Sequence, residues 1–335
     1  VSATVQVGVI GLGVGAEHAR AFAAHPACEV AAVCDRDPVR LAEWATILPD
    51  ARRYEQADAL IADPRLALVV VASQDDDHAA QVVRALRAGK HVFAEKPLCL
   101  GEDELVAIAE AWRTSGRRLS TNTVLRRSAR FRWLKEAIRA GQLGRVFLIE
   151  AEYVYGRLQK LVDGWRGRIP DYSVMLGGGI HMVDMVLWLA EQRPVEVSAV
   201  RSDLGSRDSG FTGHDLVTAV LRFESGLVAR IGANFASVHP HFHDVTVHGS
   251  AATFENTPTG DGWLWTSRDP QRAPEPVTAA YPGVRKGDLI PAFVESVLGR
   301  GEPDVTEIEA FAAMSVCLAI DRAAATRQTL QVNYV

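Results

Sequence analysis

Cysteine is scarce in this chain. Four in 335 residues, with no close Cys-x-x-Cys pair, rule out both a disulfide-stapled secreted fold and a cysteine zinc site. Cys28, Cys34, Cys99 and Cys317 read as reduced and structural, because free cysteine in an apolar run behaves as a small hydrophobe. No apolar run reaches the ~20 residues a membrane helix needs. The opening "VSATVQVGVIGLG" also lacks the charged n-region and cleavage pattern of a signal peptide. A cytoplasmic protein with no membrane partner is therefore expected. Positive charge is not in excess either: a net charge of -5 gives no general electrostatic reason to expect nucleic acid as a partner. Internal repeats, low-complexity segments and disordered linkers are missing as well.

What is present divides in two, as a prior of roughly 100 to 200 residues per domain suggests. From residue 5 to about 95, short β-branched runs alternate with helical ones: "VQVGVI", "AEHARAFAAH", "EVAAVC", "PVRLAEWATIL", "LALVVVAS", "HAAQVVRALRAG", "HVFAE". Strands spaced by helices of that length imply βαβ units and a parallel sheet. The helix "EDELVAIAEAWRTSG" and the strand "RRLSTNTVL" complete this domain, over residues 1–122. Residues 123–335 begin with a helix, "RFRWLKEAIRAGQLG", and a strand, "RVFLIEAEYVY". A Gly- and Arg-rich stretch follows, then "PVEVSAVRS", "DLVTAVLRFESGLVARIGANF" and "HFHDVTVHGSAATFEN", with turns at Ser225-Gly226 and Gly249-Ser250. That pattern predicts an open, mostly antiparallel sheet. Two closing helices can pack on either domain.

The first turn, "VGVIGLGVGAEHARAF", sets Gly11, Gly13 and Ala16 in a G-x-G-x-x-G/A arrangement between a strand and a helix. Gly11 would serve the tight turn, Gly13 the approach of backbone to a pyrophosphate, and Ala16 the packing of helix on strand, with Val14 in the same loop. The second strand ends at Asp35, placed to accept hydrogen bonds from an adenosine ribose and to repel a 2'-phosphate. NAD is the expected cofactor. Arg36 keeps NADP open, and Asp37 is the helix cap of the blander reading. Farther along, "SQDDDH" offers Ser73, Gln74 and His78 to the cofactor, while Asp75 to Asp77 suit the start of the next helix.

"FAEKP" closes the fifth strand at its carboxyl edge, where open α/β sheets bind their ligands. Lys96 is then either a catalytic ammonium or half of a strand-end ion pair with Glu95, and Pro97 stops the strand. "GGGIHMVD" puts His181 at the opening of a helix, as an acid/base or as one half of a buried pair with Asp184 three residues on. "YGRLQKLVDGWRGRIPDYS" gathers Arg157, Lys160, Trp165, Arg166, Arg168 and Tyr172, a mixture that suits a polyhydroxylated or carboxylated ring. Asn122 and Arg126, read on a linking strand, are further candidates for nicotinamide and substrate. His239, His241 and His243 alternate along one strand. Same-face neighbours lie roughly 6.5 to 7 Å apart, so three can scarcely share an ion, and no metal is expected. One of these histidines reaching the active site from the sheet is the better reading.

"GLGVGAEHARAF", "AGKHVFAEKPL", "GQLGRV" and "GGGIHMVDMVLWL", in that order, resemble the glucose-fructose oxidoreductase and inositol dehydrogenase (Gfo/Idh/MocA) family over nearly the whole chain. The resemblance implies a Rossmann domain followed by an α/β domain with an open sheet. It also implies an NAD(P)-dependent sugar or cyclitol dehydrogenase acting on a small polyhydroxylated substrate, assembled as a dimer or tetramer through the large sheet. It places Lys96 beside nicotinamide and substrate hydroxyl, and His181 in the position of the acid/base. One departure stands out: many members carry an aspartate four residues before that histidine, where this chain has Gly177. The usual His-Asp partnership is therefore missing, or supplied elsewhere by Asp184, Tyr172 or a substrate group. A redox-neutral lyase, epimerase or glycosidase using NAD transiently, and a non-catalytic dinucleotide-binding regulator, are the rival readings.

Overall fold

The computed structural model describes residues 4–335, so the first three residues of the N-terminal stretch lie outside the described residues. The chain separates into two compact units. Among the described residues, the first holds 4–124 and 285–311, with Val335; the second holds 125–284 and 312–334.

In the first unit, β1 (Val5–Ile10), α1 (Gly15–Ala23), β2 (Cys28–Cys34), α2 (Pro38–Ile47), β3 (Arg52–Tyr54), α3 (Ala57–Ile61), β4 (Leu68–Val71), α4 (His78–Arg87), β5 (His91–Ala94), α5 (Glu102–Ser115) and β6 (Leu119–Thr121) follow in order. The six strands form one sheet in the order β3-β2-β1-β4-β5-β6, and every pair is parallel. A parallel sheet covered by helices on both faces has no polar side, which is why "LVVV" in β4 is buried at all four positions. The short β3 and α3 had no legible signal in the sequence: two exposed arginines precede Tyr54, and α3 spans barely more than one turn.

In the second unit, α6 (Ala129–Arg139) leads into β7 (Val146–Val154), then α7 (Leu158–Asp163), α8 (Ile180–Ala190), β8 (Pro194–Ser202), β9 (Leu216–Phe223), β10 (Val228–Asn234), β11 (Phe242–Gly249), β12 (Thr253–Glu255), β13 (Gly262–Trp265) and β14 (Glu275–Val277). Near the chain end come α9 (Ile290–Val297) in the first unit, α10 (Glu307–Thr326), whose residues divide between the units at 311, and β15 (Leu330–Gln331). The nine strands run β14-β13-β12-β11-β7-β10-β9-β8-β15. Only β10 with β7 is parallel among these neighbours; the other pairs are antiparallel. Here the burial alternates: in β7 Ile149, Ala151 and Tyr153 are buried while their neighbours are more exposed. The sheet thus has one covered face and one open face. The expected turns are present, Gly226 at φ 85° letting β9 fold back on β10.

Candidate active site

The nucleotide loop is built as its glycines require. Gly11 has φ 85°, and a Cβ there would lie 2.3 Å from the Ala72 carbonyl oxygen, so only glycine fits. Gly13 is exposed, and a Cβ on it would meet only the Arg40 guanidinium, at 3.6 Å. Its missing side chain therefore leaves open space beside the start of α1, which Val14 caps without any side-chain hydrogen bond. That is the cradle a pyrophosphate needs. One expectation is corrected: the tight approach of helix to strand falls on Gly15, whose Cβ would lie 3.1 Å from Ala72 and 3.2 Å from Val9, while Ala16 is only half-buried.

At the end of β2 the Asp35 carboxylate accepts the backbone N–H groups of Leu12 (2.7 Å) and Asp37 (2.9 Å), with Arg40 3.6 Å away. Both loops are thereby tied to one carboxylate, which keeps lone pairs for ribose hydroxyls. Asp37 caps α2 through the Val39 N–H, so the cap reading and the ribose reading are met by different aspartates. Arg36 pairs with Asp77 at 2.9 Å and is largely exposed. Ser73 donates to Gln81 (2.8 Å), and Gln74 is exposed. His78 departs from its expected cofactor role. It is fully buried, its Nδ1 donating to the Pro97 carbonyl (2.7 Å) and its Nε2 lying 3.3 Å from the Ser73 carbonyl. It bridges two loops from inside.

Glu95 and Lys96 follow β5, and the Lys96-Pro97 peptide is cis. Glu95 is not simply the lysine's countercharge. Its Oε1 takes hydrogen bonds from His18 Nε2 and Asn122 Nδ2, both at 2.8 Å. Burial alone would raise its carboxyl; the His18 hydrogen bond and charge, the Lys96 charge and the Asn122 amide outweigh it and hold Glu95 well below the usual carboxylate range. Asn122 lies just past β6, and its Oδ1 is buried without a hydrogen-bond partner, an acceptor suited to a carboxamide N–H. His18, fully buried on α1, was missed in the sequence. Its signal was its place seven residues after Gly11, one helical turn behind the glycine loop.

In the second unit the Gly-rich run is not a helix start. Met175–Gly179 is a π-helical turn that continues into α8, so His181 stands within a helix. Asp184 takes a different partner from the one expected. Both its oxygens accept from Arg126, at 2.7 and 2.9 Å, and the two side chains are 1 % and 3 % exposed. A buried bidentate pair of that kind fixes both groups, and the candidate relay and the candidate substrate arginine become one structural clamp. Arg126 also sits in a 3₁₀ turn, Val124–Arg127, and not on a strand.

The neighbours of His181 come from the sheet. Tyr153 of β7 stacks on its ring at 5.9 Å, and His243 of β11 meets it edge-on at 6.3 Å. His241 lies 5.0 Å from Tyr153 and 4.7 Å from His243. Burial holds His243 down at about 3 and His241 at about 4, with His241 and Arg157 respectively adding to the effect, so both imidazoles are neutral at pH 7. Tyr281 contacts His243 through its ring nitrogen (2.8 Å) and backbone N–H (2.9 Å). Among the described residues, no cluster of three His, Cys, Asp or Glu could hold a metal ion. His239 has left this group: it is exposed and bonds to the Pro240 carbonyl. Arg166 lies 4.3 Å over the Trp165 ring, and the charges of Arg157 and Arg166 reach the Tyr153 phenol, which burial pushes strongly up. Tyr153 was missed, although the period-two burial of β7 pointed to it.

Comparison with known proteins agrees with the two-part fold. Residues 5–123 match the family model described as "Oxidoreductase family, NAD-binding Rossmann fold", and residues 131–255 match "GFO/IDH/MocA C-terminal domain". The chain is 27% identical over 316 residues to 1,5-anhydro-D-fructose reductase from Ensifer adhaerens, covering 91% of each. It is 31% identical over 234 residues to inositol 2-dehydrogenase 2 from Saccharopolyspora erythraea, covering 68% of this chain and 66% of the relative. In fold it is similar to an oxidoreductase from Agrobacterium radiobacter solved with NAD+, L-tartaric acid and magnesium, at TM-score 0.86, 17% identity and 98% coverage of each chain. The chain thus belongs to the Gfo/Idh/MocA family of NAD-binding oxidoreductases.

Proposed function

We propose that this chain moves hydride between NAD and a secondary alcohol or ketone of a small polyhydroxylated ring, a sugar or cyclitol, with Lys96 and His181 as its catalytic residues. The carrying observation is the Glu95 network. A buried carboxylate already holding two hydrogen bonds, from His18 and Asn122, anchors the strand end from which Lys96 projects. NAD, when bound, accepts or returns the hydride. The residues present fit it: Gly13 leaves the space, Asp35 offers the ribose acceptor, and the Asn122 Oδ1 an acceptor for the carboxamide. Lys96 lowers the cost of negative charge on the substrate oxygen, and His181 holds or releases the hydroxyl proton. Trp165 offers an apolar ring face and Arg166 a set of donors to a polyhydroxylated substrate, while Tyr172, expected beside them, is buried at 3% exposure.

The named activities of the relatives, on anhydrofructose and inositol, support this substrate class. Association into a dimer or tetramer is part of the same reading. The open sheet face carries a row of Val200, Thr218, Gly232, Glu152 and Asp244, in which Val200 is 68% exposed, and nearby Val220 is 47% exposed. A cytoplasmic location agrees with four free cysteines and with the lack, among the described residues, of a helix long and apolar enough to cross a membrane. Incubation with NAD and a panel of sugars, cyclitols and uronic acids, followed by NADH absorbance and product analysis, tests the function. NADH formed in step with an oxidised product supports it; product without net NADH would transfer the chain to redox-neutral chemistry.

A further inference from the structure

Rings carried by the sheet stand beside His181. On β7 stands the Tyr153 phenol, on β11 the neutral His243 and just before that strand the neutral His241, with the Arg157 and Arg166 charges acting on Tyr153 and that of Arg157 on His241. The acid on its own helix, Asp184, is clamped on Arg126. What stands on the remaining side is decided by Gly177, four residues earlier and so close to one turn away on the same helical face. A Cβ at residue 177 would lie 1.9 Å from the Tyr172 hydroxyl oxygen, 2.6 Å from Cζ and 2.9 Å from Cε1. No side chain can occupy that space together with the phenol. Glycine at 177 is therefore the condition for the Tyr172 hydroxyl to rest against the helix that bears His181.

The segment before the helix is shaped to deliver it. Asp171 takes a left-handed conformation, φ 49°, which aspartate tolerates better than most residues. Ser173 then opens the helix, its hydroxyl accepting the Leu176 N–H (3.0 Å) and its carbonyl the Gly177 N–H (2.9 Å). The Ser173 side chain is also hydrogen-bonded to Asp321 of α10. Between these two fixed points the Tyr172 side chain is 3% exposed. A buried phenol needs a polar partner for its hydroxyl.

We propose that Tyr172 is the positioning residue of His181: its hydroxyl, admitted by Gly177, orients the imidazole in place of a carboxylate. The proposal rests on the catalytic reading of His181 given above. Its chemical consequence is specific. A carboxylate beside an imidazole stabilises the protonated form, whereas a neutral phenol orients the ring without offsetting its charge. Replacing the phenol by a carboxylate would therefore favour the protonated ring, and the two arrangements can be told apart by titration.

Two variants test this in the full-length protein: Tyr172→Phe, which removes only the hydroxyl, and Tyr172→Ala with Gly177→Asp, which frees the space and puts a carboxylate in it. The His181 ring is titrated by NMR without cofactor or substrate, its signal assigned by its loss in His181→Asn. Turnover against pH and thermal unfolding are recorded alongside. In Tyr172→Phe the expected result is a folded protein, a changed His181 titration and kcat lowered about tenfold or more at nearly unchanged KM. In the double variant the His181 titration and the acid limb of the rate profile should both move upward by about tenfold in proton concentration. A Tyr172→Phe protein with unaltered titration and unaltered rate profile overturns the proposal, whether or not the double variant folds. If no substrate in the panel is oxidised, the catalytic reading fails, yet the titration still reports whether Tyr172 governs the His181 ring.

Discussion

The strand-end network of the first unit and the imidazole cluster of the second solve the same problem, holding polar groups in a packed interior, by opposite means. Around Glu95 the solution is charge: one carboxylate, two donors at 2.8 Å, and an adjacent ammonium. Around His181 the solution is neutrality: rings stacked or edge-on at 5 to 6 Å, with two histidines held uncharged by burial. The first arrangement binds tightly and moves little, because a desolvated carboxylate that loses a donor costs several kcal/mol. The second costs less to rearrange. Its groups can change protonation during a reaction without leaving a bare buried ion.

The sharpest way to break this contrast is Lys96→Ala. If the charged network serves catalysis, turnover should fall by about two to four orders of magnitude while thermal unfolding changes little. A variant that unfolds, or that turns over normally, would make Glu95 and Lys96 a structural ion pair. Next in size is Asp184→Asn, which strips the countercharge from a buried arginine. About 3 to 5 kcal/mol of stability should be lost, measured by denaturant unfolding, with the shape of the pH-rate profile unchanged in the fraction that folds. A shifted profile at full stability would return Asp184 to the proton relay.

Acid tests the neutral cluster. In the unfolded chain His243 takes up a proton below about pH 6.5, but in the folded chain burial delays this to about 3. A base so depressed contributes stability that is present above pH 6.5 and lost as pH falls toward 3; about 2 kcal/mol should go between pH 7 and 5. The difference in denaturant unfolding between the wild type and His243→Gln isolates that share, since the remaining titrating groups are common to both. Equal pH dependence in the two proteins would mean that His243 is not held neutral. Smallest is the effect at Asp35. Calorimetry should find NAD bound roughly tenfold more tightly than NADP, about 1.4 kcal/mol, and Asp35→Ser should narrow the gap, with Arg36 and Arg40 nearby to meet a 2'-phosphate. Equal affinities in the wild type would remove the ribose role.

The first unit was largely legible before folding because its chemistry is local. Gly11, Gly13, Asp35 and Lys96 each lie at the carboxyl end of a parallel strand or in the loop after it, and a βαβ rhythm written in hydrophobic periodicity marks those ends. The alternation of β7 to β11 likewise announced an open sheet, though not that β7 would lie between β10 and β11. His78 misled because a histidine opening a helix beside a nucleotide loop looks the same in sequence whether it faces solvent or bridges two carbonyls inside.

Sequence by itself thus determined the two-part organisation, the dinucleotide loop, and the residue types that the proposed reaction draws on, since periodicity and short motifs are properties of neighbouring residues. Only the tertiary structure decided which polar groups meet. Arg126 and Asp184, 58 residues apart, close on each other; His243 reaches His181 from β11, with three strands between them along the chain; and the Tyr172 hydroxyl fills the space that Gly177 leaves. Hydrogen bonds and ion pairs act over a few ångströms, so the pairing of such groups is set by strand order and helix packing, and no local pattern of residues carries it.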